Sequence, residues 1–309
     1  MALCPGRQRL SATPIIAKHS FLKEIIMSNI ILHEYRIPVP GMRRRIIYQF
    51  SDVHLSFADQ LSTPAERAAA AERTQFWVGG RVSFAKQHQE PHDESAPIAV
   101  TTYFEDMMQA AAKDGDALVI AGDLFDQISP ADIRWYENRF ASLPLPHVYV
   151  GGNHEPLTSV PDQGAIARIK SPLQLLDLGD MLIAGFHNAD RTITQEHLDA
   201  LLALIAQPKP VVIAMHIPIQ VAGNVPHANC DDYFRLNHAQ APQENEEFID
   251  LISQNAGKIV AVLAGHLHFL NTCELTPGLT QYVSSQGLLG NLNRYVIGDS
   301  PKRLRKDYP

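Results

Sequence analysis

A chain of 309 residues, 45% of them hydrophobic, has an ordinary globular composition, and its length admits one large α/β domain or two smaller ones. The formal net charge of -7 speaks against a dedicated nucleic-acid binder, which carries a basic footprint; the short runs Arg43–Arg45 and Lys302–Lys306 read as solvated flanks. Cys4, Cys230 and Cys273 are too few and too scattered for a disulfide framework, which suits a reducing, cytoplasmic setting, and no apolar run reaches the roughly 18 residues of a membrane span.

The first 26 residues carry basic side chains but only fragments of apolar sequence, such as Pro14–Ala17, so they do not read as a secretory leader. They are expected to be disordered, or to be a non-native extension ahead of an alternative start at Met27, which leads into a strand-like segment. Buried strands are predicted at Ile46–Phe50, Ala117–Ala121, His147–Val150, Met181–Ala184, Val211–Met215 and Ile259–Ala264, from their length and β-branching and the Gly or Asp that follows several of them. Helices are predicted over 98–113, Ile133–Ser142, Thr194–Ala206 with Thr194 as N-cap, and Gln243–Asn255. Alternation of the two makes an α/β fold. Past residue 268, short strands at Asn271–Leu275, Gln281–Ser284 and Arg294–Ile297 are expected to complete the sheets in antiparallel fashion. A single domain over 27–300, followed by a basic tail at 301–309, accommodates all of this.

The segment between His54 and Gly122 is more than twice the roughly 30 residues of a simple β-α-β unit. An insertion is therefore expected at about 59–97. It contains the helix former Ala65–Arg73 and a polar loop at Gln87–Ser95. Such an insertion beside a site can be a lid or recognition element; equally, it can be a surface excursion or a homo-oligomer contact. Its aromatics Phe76, Trp77 and Phe84 have the same two readings, as a surface for a base or acyl chain and as core or interface.

Five motifs carry the chemistry: Asp52-Val-His54, Gly122-Asp123-Leu-Phe-Asp126, Gly152-Asn153-His154-Glu155, the lone His216, and Gly265-His266-Leu-His268. Most stand at the end of an apolar run, and ligands in α/β sheets gather beyond the carboxyl ends of strands. If the chain is extended there, residues two apart point the same way, which would face Asp52 and His54 to one metal. A turn at Gly265–His268 could send His266 and His268 to different metals. Neighbours Asn153 and His154 should diverge, one to metal and one to substrate. Mixed imidazole, carboxylate and amide donors suit borderline cations such as Mn, Fe or Zn rather than Mg or Ca. Two such cations can activate water for attack on phosphorus. Each fragment alone is a common accident; a Gly-Asp pair is usually a turn and a lone histidine usually structural. The ordered set is far more specific.

In this set the chain resembles the calcineurin-like metallophosphoesterases, over about residues 44–290. The resemblance implies a four-layer α-β-β-α sandwich with two mixed β-sheets. It implies two divalent or trivalent metal ions, Mn, Fe or Zn, one held by Asp52, His54, Asp123 and His268 and the other by Asp123, Asn153, His216 and His266. His154 would assist the leaving group without binding metal, Asp126 would support it, and a metal-bridging hydroxide would attack a small phosphodiester or phosphomonoester. Gln127 and Gly151 stand where the protein phosphatases of the superfamily carry arginine, which argues against a phosphoprotein substrate. The competing reading is a catalytically silent scaffold that binds a partner protein through the insertion.

Overall fold

The computed structural model describes residues 21–27, 30–88, 100–141, 143, 145–220 and 235–299. Its strands are β1 Phe21–Met27, β2 Ile30–Ile37, β3 Arg45–Phe50, β4 Ala117–Ala121, β5 His147–Val150, β6 Leu173–Asp177, β7 Leu182–Phe186, β8 Val211–Ala214, β9 Ile259–Ala264, β10 Asn271–Thr276, β11 Leu279–Val283 and β12 Asn291–Ile297. Five helices accompany them among the described residues: α1 Pro64–His88, α2 Val100–Asp114, α3 Pro130–Ala141, α4 Gln195–Ile205 and α5 Gln243–Gln254.

The strands form two six-stranded sheets, ordered β1-β2-β12-β3-β4-β5 and β10-β11-β9-β8-β7-β6. Both are mixed: β3, β4 and β5 run parallel, as do β7, β8, β9 and β11, while β12 is antiparallel to β3 and β6 is antiparallel to β7. Strands buried on both faces need apolar side chains at every position, which is what Ala117–Ala121 and Ile259–Ala264 supply. The buried side chains fall into three layers. One packs Phe104, Met107 and Tyr136 of α2 and α3 on the first sheet. The middle layer joins the sheets through Val119, Val148, Ile183, Val212 and Leu263. The third seats Leu198, Leu201 and Phe248 of α4 and α5 on the second sheet. Three apolar layers between four structural ones make the expected α-β-β-α sandwich.

Some elements differ from the sequence reading. Within the expected N-terminal extension, Phe21–Met27 forms β1, which pairs antiparallel with β2 from Phe21↔Tyr35 to Met27↔Ile30; residues 1–20 and 300–309 lie outside the described ones. β6 escapes sequence reading because it is an edge strand with weak burial, Leu175 being 53% exposed. The last strands are not simply antiparallel: β11 joins β9 in parallel, and β12 crosses to the first sheet, parallel to β2. The helix of the insertion runs on past Arg73 to His88. The rest of the expected polar loop lies outside the described residues.

Candidate active site

The first sheet brings the ends of β3, β4 and β5 side by side, and the second does the same for β8 and β9. Every motif follows one of these five strands. Backbone hydrogen bonds then lace neighbouring loops together. Asp52 and Val53 donate to the carbonyls of Gly122 and Asp123 at 3.0 and 2.9 Å, Leu55 donates to Leu124 at 2.8 Å, and Gly265 donates to His216 at 3.0 Å.

The backbone at these loops is unusual. Six non-glycine residues have positive φ among the described residues, and five of them are Asp52, His54, Asp123, His266 and His268, with φ between 51° and 73°. Asp and His tolerate this left-handed region better than most residues, yet each such residue costs of order 1–3 kcal/mol and such residues cluster where function requires them. The extended chain expected for Asp52-Val-His54 is therefore not what occurs. The segment curls, Val53 tucks fully into the core, and the two flanking side chains still share one cluster.

Donor atoms of Asp52, His54 and His268 lie within 4.8 Å of one another, as do those of Asp123, His216 and His266. A third group joins His54 to Asp126 and His154. His54 Nε2 and His268 Nε2 face each other at 3.1 Å, and His268 Nε2 is 3.3 Å from Asp52 Oδ1. On the other side His216 Nε2 is 2.9 Å from Asn153 Oδ1 and 3.3 Å from Asp123 Oδ2. Ligands about 2.0–2.2 Å from a shared cation, at angles near 90–109°, sit roughly 2.9–3.5 Å apart. Both groups thus have the spacing of a coordination shell.

Surrounding groups hold each donor. Asp52 Oδ2 accepts from the Ser51 hydroxyl and, at 3.0 Å, from His266 N–H, while its Oδ1 makes no hydrogen bond among the described residues and is turned to His268. His216 Nδ1 donates to the Ala121 carbonyl at 2.8 Å, which fixes the ring with Nε2 toward Asn153 and Asp123. Asn188, buried, accepts from His216 and Ile217 N–H at 2.9 and 3.0 Å and returns a bond to the Ile217 carbonyl at 2.7 Å. Glu155 accepts from the N–H of Asp123, Phe125 and Gly152 and from the Tyr149 hydroxyl, pinning two motif loops to each other. Close approach requires glycine within the motifs. A Cβ on Gly122 would lie 2.1 Å from His216 Nδ1, and one on Gly152 would lie 2.1 Å from Asp123 Oδ1.

The charges follow from this packing. Burial raises buried carboxyls, but the facing imidazoles outweigh it and bring Asp52 down to about 2 and Asp123 lower still. Burial, reinforced by like charge on neighbouring imidazoles, takes His54 and His266 down to about 3, so both are neutral donors. His216 goes the other way, to about 9, because Asp123 outweighs the cost of burying its charge.

His154 lies at the edge of these groups. Its Nδ1 is 2.8 Å from Asp126 Oδ1, its backbone N–H donates to Asp123 Oδ1 at 2.9 Å, and its side chain is 30% exposed. Burial works against a charge on this ring, but the Asp126 hydrogen bond and the Asp123 and Asp126 charges raise its pKa above the usual 6.5. It opens on a pocket of about 450 Å³ whose wall includes Asp126, Gln127, Asn153 and Ser159.

A family model of calcineurin-like phosphoesterases matches residues 46–270. The chain belongs to the calcineurin-like phosphoesterase family. It is thus a hydrolase acting on phosphoric esters, in a family that depends on two metal ions. No curated protein sequence matches the chain. Among solved structures, a dimetal phosphatase from Danio rerio is similar at 12% identity over 81% of this chain and 88% of that one, with a TM-score of 0.39. Purple acid phosphatase PPD1 from yellow lupin seeds is 15% identical over 81% of this chain and 46% of its own, TM-score 0.45. The calcineurin-like phosphoesterase YfkN from Bacillus subtilis is 12% identical over 79% and 82%, TM-score 0.40. None of these is close enough to carry a substrate across to the calcineurin-like site described above.

Sequence reasoning missed how the insertion meets the site. The Trp77 indole of α1 stacks on the His54 ring, with centroids 3.8 Å apart and planes at 12°, and is 5% exposed. One turn earlier on α1, the Arg73 guanidinium pairs through Nε with Asp126 Oδ2. The i, i+4 spacing of Arg73 and Trp77, with Arg73 at the end of the Ala-rich run, was the available signal.

Proposed function

We propose that the chain hydrolyses a small phosphomonoester or phosphodiester with two transition-metal ions, Mn, Fe or Zn. In this reading Asp52, His54, Asp123 and His268 hold one ion, and Asp123, Asn153, His216 and His266 hold the other. The observation that carries it is the pair of convergent donor groups with Asp123 between them: its carboxylate faces His216 Nε2 at 3.3 Å and its charge also acts on the ring of His54. The donor chemistry fits, since mixed nitrogen and oxygen sets suit borderline cations. Two imidazole nitrogens turned toward each other at 3.1 Å, beside a carboxylate oxygen with no hydrogen bond among the described residues, are a donor arrangement that a cation fits.

When bound, the metal pair supplies activated water and neutralises charge on the phosphoryl oxygens. The protein contributes the rest. Strained, hydrogen-bonded loops preset the donors. The Asp126 carboxylate accepts from Nδ1 of His154 and favours the imidazolium, whose second proton, on Nε2, is the one to pass to the leaving oxygen. The pocket beside His154 receives the substrate. The natural partner is thus a small phosphoester. No helix among the described residues is long and apolar enough to cross a membrane.

Purified protein loaded with Mn²⁺, Fe or Zn²⁺ is expected to hydrolyse an aryl phosphomonoester, an aryl phosphodiester or both, and to bind close to two metal equivalents. Absence of turnover on both esters with every metal would overturn the catalytic reading in favour of a scaffold.

A further inference from the structure

Helix α1 is 25 residues long, and Trp77 is its one buried residue among those whose burial is described. What it delivers is Arg73, which stands on the rim of the same pocket as His154, Asn153 and Gln127. The guanidinium uses Nε for Asp126, and its two Nη groups make no hydrogen bond among the described residues. Asp126 accepts from His154 with one oxygen and from Arg73 with the other. One buried carboxylate thus orients a proton donor and a planar cation toward the same space.

We propose that Arg73 is the phosphate-gripping residue of this site and that it selects phosphomonoesters over diesters. The proposal rests on the phosphoesterase reading above. The Nη pair of an arginine matches two phosphate oxygens in a fork, and holding Nε fixed presets that fork. A monoester carries about -1.5 to -2 charges at pH 7, against -1 for a diester, and has an additional unsubstituted oxygen for the fork to take. Of its lining side chains, Arg73 and His154 are the two able to carry positive charge, and only Arg73 presents a fork; Asp126 is the one carboxylate, already engaged twice, and Gln127, Asn153 and Ser159 are neutral. Trp77 supplies the anchor: by seating α1 on His54 it fixes the distance between Arg73 and the donor groups.

The test compares metal-loaded wild type with Arg73→Ala, Arg73→Gln and Arg73→Lys. Four readouts are taken: metal content, thermal unfolding, binding of inorganic phosphate by calorimetry, and kcat and KM on an aryl monoester and an aryl diester. Expected for Ala and Gln are full metal content, a 10- to 100-fold rise in monoester KM and in phosphate Kd, and a diester KM within about threefold of wild type. Lys, which keeps the charge but loses the fork, falls between. Equal losses on both esters, seen in kcat with a shifted basic limb of the pH profile, would mean Arg73 acts only through Asp126 and His154, and would overturn the proposal. So would an unchanged phosphate Kd. Should wild type hydrolyse neither ester, the phosphoesterase reading fails; the phosphate titration still decides whether Arg73 grips the anion.

Discussion

The site has two walls, and they are built on opposite principles. The wall at the strand ends is over-determined: Asp52, Asp123 and His216 are each held by several hydrogen bonds and by fully buried neighbours, and Asp52 and Asp123 also by backbone in a costly conformation. Among the side chains described, the wall made by α1 meets the donor groups through two, Trp77 on His54 and Arg73 on Asp126. The first wall therefore sets the chemistry and tolerates no change, while the second can be altered without dismantling the fold. Substitutions in the strand-end wall should abolish metal binding, and those in the helical wall should grade affinity and selectivity.

The sharpest break is expected in the first wall. Asp123→Asn and His216→Ala should lose metal and activity together, with turnover lower by at least about 10³-fold, beyond the 10- to 100-fold typical of losing an outer partner of a ligand. Gly122→Ala should do the same without removing any donor, because its methyl would meet His216 at 2.1 Å. Metal analysis beside turnover checks all three, and a Gly122→Ala enzyme with two metals and normal rate would refute the close-packing argument. His154→Ala comes next. It should keep both metals and lose about 10²–10⁴ in kcat, and an unchanged rate would remove His154 from the mechanism.

What could be read in advance divides along the same line. The strand-end wall was legible because its parts are local: an apolar run, a glycine forced by close approach, then a donor. The sheets were legible as well, since their inner strands Ala117–Ala121, Val211–Ala214 and Ile259–Ala264 are apolar throughout. β6 and β1 were missed because edge strands need no such pattern. Arg73 and Trp77 were not legible as site residues. Trp77 reads in sequence as a surface for a base or acyl chain or as core or interface, and Arg73 as part of a helix former; their i, i+4 spacing puts them on one helix face, but their partners His54 and Asp126 lie 23 and 53 positions away, so the spacing does not say what that face meets. The left-handed backbone at five donors was likewise invisible, because it is imposed by the lacing of neighbouring loops and not by the residues themselves.

The second wall yields a graded effect. Trp77→Ala removes the stack on His54, a contact worth about 0.5–1.5 kcal/mol beyond its burial, and frees the ring to turn. Affinity for the metal held by His54 should fall roughly tenfold, with the His216 side spared, and Trp77→Phe should recover most of it. Competition with a chelator resolves the two sites. Equal weakening of both would show that α1 supports the whole site and would erase the distinction between the walls.

The smallest effect concerns protons, and it separates the donors within the first wall. His54 and His266 are neutral in the metal-free protein, with pKa values of about 3, whereas His216 holds its proton up to about 9 because acceptors face both of its nitrogens, Ala121 O at Nδ1 and Asn153 and Asp123 at Nε2. A metal at Nε2 must displace that proton. Loading at pH 7.5 should therefore release about one proton per protein, and affinity at that side should rise with pH by about tenfold per unit until pH 9. The sign for stability is opposite: the His216 pair with Asp123 supports the metal-free fold fully below pH 6.5 and is lost as pH climbs through about 9. Calorimetry in buffers of differing ionisation enthalpy counts the proton. A count of zero would mean that His216 is already neutral, and that the charge of Asp123 is offset by something other than the imidazole in front of it.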